Sequence, residues 1–406
     1  MHIQGISLLA LAEEFGTPLY VYDTQKMLEK LTLLKQSFQS QKLKIKYAAK
    51  ALSNISVLGF FKKQDIGLDT VALEEIHLGL EAGFAPEDIL FTPNCVSFEE
   101  IKEAVALGVV INIDNIAILE QFGHYYGSSV PCCIRINPHL VAGGNSKIQV
   151  GHIDSKFGIS VLQMRHVLRV VKAHQIKVTG LHMHTGSDIL EADIFLRGAE
   201  ILFEAAMEFP DLQFLDFGSG FKVAYKSGDI TTDIAELGEK IGKAFEDFCQ
   251  QYGRSLEIWF EPGKYLVSEA GYFLVAVNTI KQTPATVFAG VNSGFNHLIR
   301  PMLYDAYHEI INISNPEGTP RLYSVVGYIC ETDTFGVDRK ITEIREGDVL
   351  CMRNAGAYGF SMSSQYNSRL RPAEVLIYNG KAHLVRKRET MEDILKNQIL
   401  IDYEKA

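Results

Sequence analysis

The sequence predicts an α/β protein in which a parallel (β/α)8 barrel is followed by a mainly antiparallel β domain, either a barrel or a sandwich. The first observation is an alternation of short apolar runs with amphipathic stretches over roughly 220 residues. The second is a change of rhythm near residue 266, after which strand-like runs lie close together with little helix between them. A length of 406 residues suits two domains, predicted at residues 24–266 and at residues 1–23 plus 267–406.

Eight short apolar runs are predicted as the barrel strands. Stretches such as Ser97–Ala106 and Ile194–Glu208 have apolar residues at helical spacing and fit the helices between them. A doubly wound open sheet is the competing architecture, but it calls for a G-x-G-x-x-G turn after its first strand, and Tyr47–Asn54 contains no glycine. The predicted strands are Leu43–Tyr47, Gly67–Thr70, Ile89–Phe91, Val110–Ile113, Cys132–Ile136, Val178–Met183, Phe214–Phe217 and Glu257–Phe260.

The two ends of the chain are predicted to supply the β domain. Residues 7–15 have the pattern of a short helix, and residues 18–22 have that of a strand which completes the second domain. Close spacing and turn residues between the later runs are typical of antiparallel sheets. These runs are Tyr272–Ile280, Ala285–Ala289, Arg321–Ile329, Asp348–Met352 and Val375–Tyr378.

Composition excludes several classes of function. Hydrophobic residues at 47% and charged residues at 22% are ordinary for a globular protein, and the net charge of −10 argues against nucleic acid or an anionic membrane as partner. No apolar run has transmembrane length, and the first residues lack the basic start of a signal peptide. The six cysteines form no C-x-x-C pair, so we expect no metal site and no disulfide scaffold. This usage suits the cytoplasm.

Lys50 follows the first predicted barrel strand within the segment Tyr47-Ala-Ala-Lys-Ala51. Lys42, Lys44 and Lys46 alternate with apolar residues upstream, but Lys50 does not belong to that polar face. One interpretation is a plain surface lysine. The other is an amine in a poorly hydrated pocket, where desolvation lowers the pKa and makes the nitrogen a usable nucleophile.

Polar residues recur where other predicted strands end, which is where barrel active sites form. His184-Thr-Gly-Ser187 ends the sixth strand, Gly218-Ser-Gly220 follows the seventh, and Glu261-Pro-Gly263 follows the eighth. Glycine-rich loops let backbone amides approach a phosphate, although such a loop is also a common plain turn. A lysine, a phosphate loop, an aromatic-like ring and a carboxylate at one barrel mouth are typical of a pyridoxal phosphate site, with Glu261 keeping the pyridine nitrogen protonated.

Six motifs carry a resemblance to a known family. In order and context, the chain is similar to the fold-type III pyridoxal phosphate decarboxylases, and the similarity extends over essentially the whole chain. Within that group it most resembles the enzymes that decarboxylate meso-2,6-diaminopimelate to L-lysine. The resemblance implies a head-to-tail homodimer with active sites shared across its interface. The motifs are Tyr47-Ala-Ala-Lys50-Ala, His184-Thr-Gly-Ser187, Glu261-Pro-Gly263-Lys264, Arg300-Pro-Met-Leu-Tyr304, Cys330-Glu331-Thr-Asp333 and Ala355-Gly-Ala-Tyr358.

The resemblance also implies a role for each matching residue. Lys50 is expected to bind the cofactor, His184 to stack on its ring and Glu261 to pair with its ring nitrogen. Cys330 resembles the proton donor, reaching in from the partner subunit. The residues expected around the cofactor phosphate are Ser187, Gly218, Ser219, Gly220, Gly263, Lys264 and Tyr358, and those expected to bind substrate are Lys264, Arg300, Tyr304, Glu331 and Tyr358. Each of these residues has a plainer interpretation, Arg300 as a loop cap and Tyr304 as core packing. Without the neighbouring motifs, the favoured interpretation of Cys330 is a buried apolar cysteine.

The chain departs from the family pattern in three places. Lys264 stands where the family has arginine, so it offers a point charge in place of a bidentate fork. The usual Ser-Gly-Gly-Glu after the second strand is replaced by Ala72-Leu-Glu-Glu75, so no cofactor role is transferred there. Ser219 interrupts a run of three glycines, where its hydroxyl either adds a donor to the phosphate or is simply tolerated.

Three rival functions remain open at this point. A related decarboxylase acting on ornithine, arginine or a carboxylated polyamine is the nearest, but Arg300 and Glu331 together favour a zwitterionic distal end. Alanine racemase chemistry calls for an arginine in place of Glu261 at the ring nitrogen. A catalytically silent cofactor-binding protein belongs to another class, and the intact set of Lys50, His184, Glu261 and Cys330 argues against it.

Overall fold

The computed structural model describes residues 1–140 and 151–404. The chain forms two compact units, which we name the barrel unit and the sheet unit. The barrel unit consists of Met27–Ala224 and Gly228–Val267. The sheet unit consists of Met1–Lys26, Tyr225–Ser227 and Ser268–Ala406.

The strands and helices are numbered in chain order. The strands are β1 (His2–Ile3), β2 (Ile6–Ser7), β3 (Leu19–Asp23), β4 (Leu43–Ala48), β5 (Gly67–Thr70), β6 (Ile89–Phe91), β7 (Val110–Ile113), β8 (Cys132–Asn137), β9 (Ile159–Ser160), β10 (Val178–Met183), β11 (Phe214–Asp216), β12 (Glu257–Phe260), β13 (Gly271–Gln282), β14 (Val287–Val291), β15 (Ile310–Asn312), β16 (Pro320–Val326), β17 (Thr334–Thr342), β18 (Val349–Arg353), β19 (Ala373–Tyr378) and β20 (Lys381–Arg386). The helices are α1 (Leu8–Phe15), α2 (Thr24–Ser37), α3 (Ile55–Lys63), α4 (Leu73–Glu81), α5 (Phe98–Ala106), α6 (Ile116–Tyr126), α7 (Met164–His174), α8 (Ala192–Ala206), α9 (Ile234–Tyr252), α10 (Lys264–Val267), α11 (Arg300–Tyr304) and α12 (Met391–Leu395).

Eight parallel strands close into a barrel in the barrel unit. Neighbouring strands follow the order β10, β11, β12, β4, β5, β6, β7, β8, and β10 also pairs with β8, which closes the ring. The short strand β9 is added beside β8. These eight are the strands predicted from the sequence, with no end shifted by more than one residue. The predicted (β/α)8 barrel is therefore confirmed.

Local sequence determines where the barrel helices begin, as α5 illustrates. The Ser97 hydroxyl accepts the backbone N–H of Glu100, and the Glu100 carboxylate accepts the backbone N–H of Ser97. This reciprocal capping pairs two donors that a helix start otherwise leaves unpaired. Ile101 and Ala104 are buried on one face, so α5 is the amphipathic helix that the sequence predicts.

The barrel interior contains an aromatic layer next to a polar one. The ring of Phe214 stacks on that of Trp259 with centroids 3.6 Å apart and nearly parallel planes. Gly180 makes this possible, because a Cβ at that position would overlap the Phe214 ring. Buried polar residues, among them Asp69 and Asp216, lie towards the carboxyl ends of their strands. Aromatic side chains thus fill the barrel interior, and polar side chains lie at the carboxyl ends of the strands, where the active site is expected.

The sheet unit is organised around β13, which pairs antiparallel with β3, β14 and β18. Strands β15 and β18, β16 and β17, and β19 and β20 also pair antiparallel. Two pairings are parallel, β3 with β19 and β14 with β16. The mostly sheet character and the inclusion of the first long strand agree with the sequence prediction. The prediction of an antiparallel sheet is confirmed only in part, because these two pairings are parallel.

Strand β20 was not predicted from the sequence, and its composition explains why. Most of its side chains are exposed, so it has little of the apolar signal that identifies a strand. Its pairing with β19 depends on the turn Asn379-Gly380, where both residues have positive φ angles of 52° and 68°. Asn-Gly is the preferred pair for a two-residue hairpin turn.

Two further properties concern the chain as a whole. Within residues 1–140 and 151–404, no helix combines the length and the apolar character needed to cross a bilayer. All six cysteines are free thiols. Cys95 and Cys330 are exposed, Cys249 is half-buried, and the others are buried.

Two glycine substitutions in the barrel unit should shift stability in opposite directions. Gly180→Ala should lower the free energy of unfolding by about 1–3 kcal/mol, because its methyl group collides with Phe214. Gly59→Ala in α3 meets only ordinary contacts and should raise it by about 0.5–1 kcal/mol. Urea denaturation followed by the fluorescence of Trp259, the chain's single tryptophan, measures both. Equal effects of the two variants would contradict the packing described for Phe214.

Candidate active site

Lys50 lies in a single helical turn, Ala49–Ala51, directly after β4. Its Nζ is 3.1 Å from Oδ2 of Asp69 at the carboxyl end of β5. The Lys50 side chain is 41% exposed while that of Asp69 is fully buried. The pocket therefore excludes less water than the sequence suggested. The amine is oriented by a buried carboxylate.

Asp69 titrates near neutral pH. Burial and the nearby carboxylate of Glu261 raise its pKa to about 7, although the amine of Lys50 opposes this rise. Asp69 therefore gains or loses its proton near pH 7. When Asp69 loses its proton, its hydrogen bond with Lys50 joins two charged groups and becomes stronger.

Glu261 follows β12 and is nearly completely buried. Its Oε2 lies 3.1 Å from Nε2 of His182. Burial disfavours the ionised carboxylate, but His182 and the amine of Lys50 outweigh it and lower the pKa of Glu261 to about 2. Its other oxygen, Oε1, is buried and accepts no hydrogen bond from the residues that the structure describes. Glu261 is thus an anion with one unpaired oxygen.

His182 and Asp216 complete this buried cluster. The pKa of His182 is lowered by burial, so the neutral imidazole donates its N–H to Glu261. Burial and the charge of Glu261 raise the pKa of Asp216 well above its usual range. Asp216 Oδ1 accepts the backbone N–H of Gly218 at 2.8 Å. Ligand atoms of the three side chains lie within 4.8 Å of one another, but the raised pKa of Asp216 leaves less negative charge there than a divalent cation prefers.

His184 lies two residues after His182 in the chain. It contacts the loop that follows β11, residues 218–220, which we name the glycine loop. Its Nδ1 accepts the backbone N–H of Ser219 at 3.3 Å. Burial and then the guanidinium of Arg135 lower its pKa to about 3, so the ring is neutral. A Cβ at Gly218 would lie 2.7 Å from this nitrogen, so the close approach of ring and loop depends on glycine.

The glycine loop also contacts the other parts of the barrel site. Gly218 and Gly220 have φ angles of 60° and 113°, which favour glycine. The carbonyl of Gly218 accepts the backbone N–H of Glu261 at 2.7 Å. A Cβ at Gly263 would lie 3.0 Å from that of Ala48, beside the Lys50 turn. The structure therefore brings the predicted barrel residues together at one end.

Lys264, which replaces the family arginine, forms an ion pair with Asp188. Lys264 is buried, and Asp188 has a left-handed backbone with φ of 62° just after Ser187. Ser187 is half-buried on the loop after β10. The carboxylate of Asp188 neutralises the charge of Lys264. The sequence did not reveal this partner.

The other predicted residues lie in the sheet unit. Arg300 is buried, and its guanidinium donates to the hydroxyl of Tyr225 at 3.0 Å. Its Nε is buried without an acceptor among the described residues. Tyr304 and Tyr358 are half-buried, while Cys330 and Glu331 are exposed. Arg300 therefore keeps a donor available for an anion.

The barrel residues fit pyridoxal phosphate. The unpaired Oε1 of an ionised Glu261 suits a protonated pyridine nitrogen. A neutral His184 can lie against an aromatic ring, and the glycine loop leaves no room for Cβ atoms. The amine of Lys50 would hold the aldehyde of this cofactor.

This combination of barrel, lysine, buried carboxylate and glycine loop defines a pyridoxal phosphate enzyme of the fold-type III class. The family model "Pyridoxal-dependent decarboxylase, pyridoxal binding domain" matches residues 24–268. The chain belongs to this family. Among its curated relatives are diaminopimelate decarboxylases.

Relatives match over nearly the full length. The diaminopimelate decarboxylase of Methanothermobacter thermautotrophicus is 39% identical and covers 98% of this chain and 95% of its own. That of Bacillus subtilis is 36% identical and covers 98% and 94%. The crystal structure of diaminopimelate decarboxylase from Helicobacter pylori in complex with L-lysine has a TM-score of 0.89 and 30% identity, covering 96% and 98%.

Sequence reasoning missed the partners of its own candidates. Asp69, Asp188 and His182 pair with Lys50, Lys264 and Glu261 respectively. The available signal was a polar residue near the carboxyl end of an apolar barrel strand, as at Asp69 in Gly67–Thr70. Nothing comparable distinguishes Asp188, which lies in a loop.

Replacing His182 should flatten the pH dependence of stability in the cofactor-free protein. Since burial lowers the pKa of His182 from 6.5, only the unfolded chain takes up this proton below that pH, and stability falls as pH falls. His182→Gln keeps an N–H for Glu261 but cannot titrate. As the pH falls below 6.5, its unfolding free energy should fall less steeply than that of the wild type, by up to about 1.4 kcal/mol per pH unit.

The measurement is urea denaturation at a series of pH values. His166→Gln is the matched control, because the His166 side chain is 44% exposed. It should follow the wild-type curve. Parallel curves for wild type and His182→Gln would show that His182 is not a buried neutral base.

Proposed function

We propose that this protein decarboxylates meso-2,6-diaminopimelate with pyridoxal 5′-phosphate as cofactor and releases L-lysine, the product of lysine biosynthesis. The observation that carries the proposal is the buried, ionised carboxylate of Glu261. Its Oε1 accepts no hydrogen bond from the described residues, and the amine of Lys50 helps to lower its pKa. A ring nitrogen that donates to this oxygen stays protonated. The relatives at 39% and 36% identity support the choice of substrate.

The barrel residues then have defined roles. When bound, pyridoxal phosphate supplies the sink for the electron pair left as the carbon–carbon bond to the carboxylate breaks. Lys50 holds the cofactor through Nζ, and Asp69 orients that amine beforehand. The neutral ring of His184 would pack against the cofactor ring. The residues assigned to the phosphate are Ser187, Gly218, Ser219, Gly220, Gly263 and Tyr358.

The sheet-unit residues are assigned to substrate. Arg300 binds the distal carboxylate through its available donor, and Glu331 accepts the distal ammonium. Tyr304 and Tyr358 add hydroxyl donors. Lys264, neutralised by Asp188, keeps N–H groups for a carboxylate or phosphate oxygen.

Cys330 is assigned as the proton donor. Its thiol gives a proton to the carbon that has lost carbon dioxide, and the thiolate regains one from solvent. The side chains of Cys330 and Glu331 are exposed in this chain, which supports a role in the active site of a partner subunit. We therefore propose a homodimer with shared active sites.

The remaining assignments follow from this proposal. The pyridoxal phosphate domain is assigned to residues 24–266, and the β domain to residues 1–23 plus 267–406. A biosynthetic enzyme with six free thiols suits a reducing cytoplasm.

Carbon dioxide release from a panel of amino acids tests the substrate. The enzyme should release it from meso-diaminopimelate, and at least about a hundredfold more slowly from L-ornithine, L-arginine and L-lysine, because those substrates leave buried polar groups unpaired. Lys50→Ala should lose both this activity and the visible absorbance of bound cofactor. Comparable rates on ornithine would contradict the assigned substrate, and no release from any substrate would favour a silent binding protein.

Mixing two inactive variants tests the shared site. Lys50→Ala and Cys330→Ala proteins should each be impaired alone, the second with its cofactor still bound. After subunit exchange, half of the dimers carry one intact and one doubly altered site, so activity should recover to about a quarter of wild type. Absence of recovery, with exchange verified by differently tagged subunits, would place Lys50 and Cys330 of one site on the same chain.

A further inference from the structure

The loop that carries Cys330 and Glu331 joins β16 to β17, and we name residues 327–333 the Cys-Glu loop. Its base is fixed by the buried carboxylate of Asp333. One oxygen accepts the backbone N–H of Phe295 at 2.7 Å, and the other accepts that of Ile329 at 3.1 Å. These bonds hold the base of the loop and leave its tip to other contacts.

The tip of the Cys-Glu loop is held by two neighbouring residues of a separate turn. The hydroxyl of Tyr366 donates to Oε1 of Glu331. Oδ1 of Asn367 accepts the backbone N–H of Cys330 at 3.1 Å. Both bonds are made to the two residues that the proposed reaction uses.

The turn itself is anchored. The ring of Tyr366 stacks on that of Phe295 with centroids 5.7 Å apart, so it packs beside the residue that Asp333 also binds. Asn367 has a left-handed backbone with φ of 54°, a conformation that asparagine tolerates better than most residues. The tip and the base of the Cys-Glu loop are therefore both held by contacts that involve Phe295.

The contact between Tyr366 and Glu331 leaves the carboxylate ready for a cation. Oε2 of Glu331 accepts no hydrogen bond from any residue that the structure describes. The hydrogen bond to Glu331 raises the pKa of the Tyr366 phenol, which therefore stays protonated and donates. A donor on one carboxylate oxygen fixes the direction of the other oxygen.

We propose that Tyr366 and Asn367 are positioning residues for this reaction. Tyr366 aims Oε2 of Glu331 at the ammonium of a zwitterionic amino acid centre, and Asn367 aims the Cys330 thiol at the reacting carbon. The inference rests on the proposed function, from which it takes the roles of Glu331 and Cys330. It makes Tyr366 a determinant of substrate affinity and Asn367 a determinant of turnover.

Tyr366→Phe in the holoenzyme tests the first half. The KM for meso-diaminopimelate and the Kd of L-lysine, measured by calorimetry, should both rise about five- to thirtyfold, because Glu331 loses a hydrogen bond to a charged group. The kcat should change less than about threefold. Tyr403→Phe is the control, since Tyr403 is 81% exposed in the C-terminal tail, and it should leave all three values unchanged.

A double-mutant cycle with Glu331→Gln separates the two proposals. Glu331→Gln should weaken both constants, and adding Tyr366→Phe should weaken them no further, because Tyr366 acts through Glu331. If Glu331→Gln weakens binding and Tyr366→Phe does not, the positioning role is overturned while the proposed function stands. If Glu331→Gln changes neither constant, the assigned role of Glu331 fails and the inference fails with it.

Asn367→Ala tests the second half. It should lower kcat about three- to tenfold with the Kd of L-lysine unchanged, and Asn367→Asp, which keeps an acceptor oxygen, should restore kcat. Asn379→Ala is the matched control, because Asn379 has a similar φ of 52° in the hairpin between β19 and β20. Equal kcat values for Asn367→Ala and Asn379→Ala would overturn the role of Asn367.

Discussion

The buried negative charge of Glu261 is the constraint on which the barrel site depends. An ion in such a place is unfavourable unless hydrogen bonds and opposite charges compensate for lost water. His182 donates directly to the carboxylate, and the amine of Lys50 lies close enough to lower its pKa. Asp216 accommodates the same charge by keeping its own proton. Strand β12 is followed by Glu261 itself, and strands β10 and β11 supply its neighbours His182 and Asp216.

Burial and the charge of Glu261 together set the protonation state of each neighbour. Two histidines remain neutral because burial removes the water that an imidazolium needs. A neutral His184 can pack against an aromatic ring without adding a second cation beside Lys50. Burial and the charge of Glu261 raise the pKa of Asp69 to about 7, and the same carboxylate accepts a hydrogen bond from the amine of Lys50. The same chemical groups in water would have none of these properties.

The sheet unit positions its candidate residues in a different way. Cys330 and Glu331 are exposed, so packing cannot hold them. The loop on which they lie is fixed by backbone N–H groups that donate to Asp333 and Asn367, and by the Tyr366 hydroxyl, which donates to Glu331. An anchored loop can present side chains to a ligand while its own backbone stays ordered. This arrangement suits residues that act outside the chain's own core.

The sequence by itself determined the eight barrel strands and pointed to Lys50, His184 and Glu261, whereas Cys330 became a candidate only through the resemblance to the family. Apolar periodicity records which residues a strand must bury, and a polar residue that breaks this pattern stands out. Only the tertiary structure decided the partners, because Asp69, Asp188 and Tyr366 lie 19, 76 and 35 residues from the groups they bind. Hydrogen bonds and pKa values depend on distance and burial. Residues this far apart in the sequence come within hydrogen-bond distance, about 3 Å, only when the chain folds.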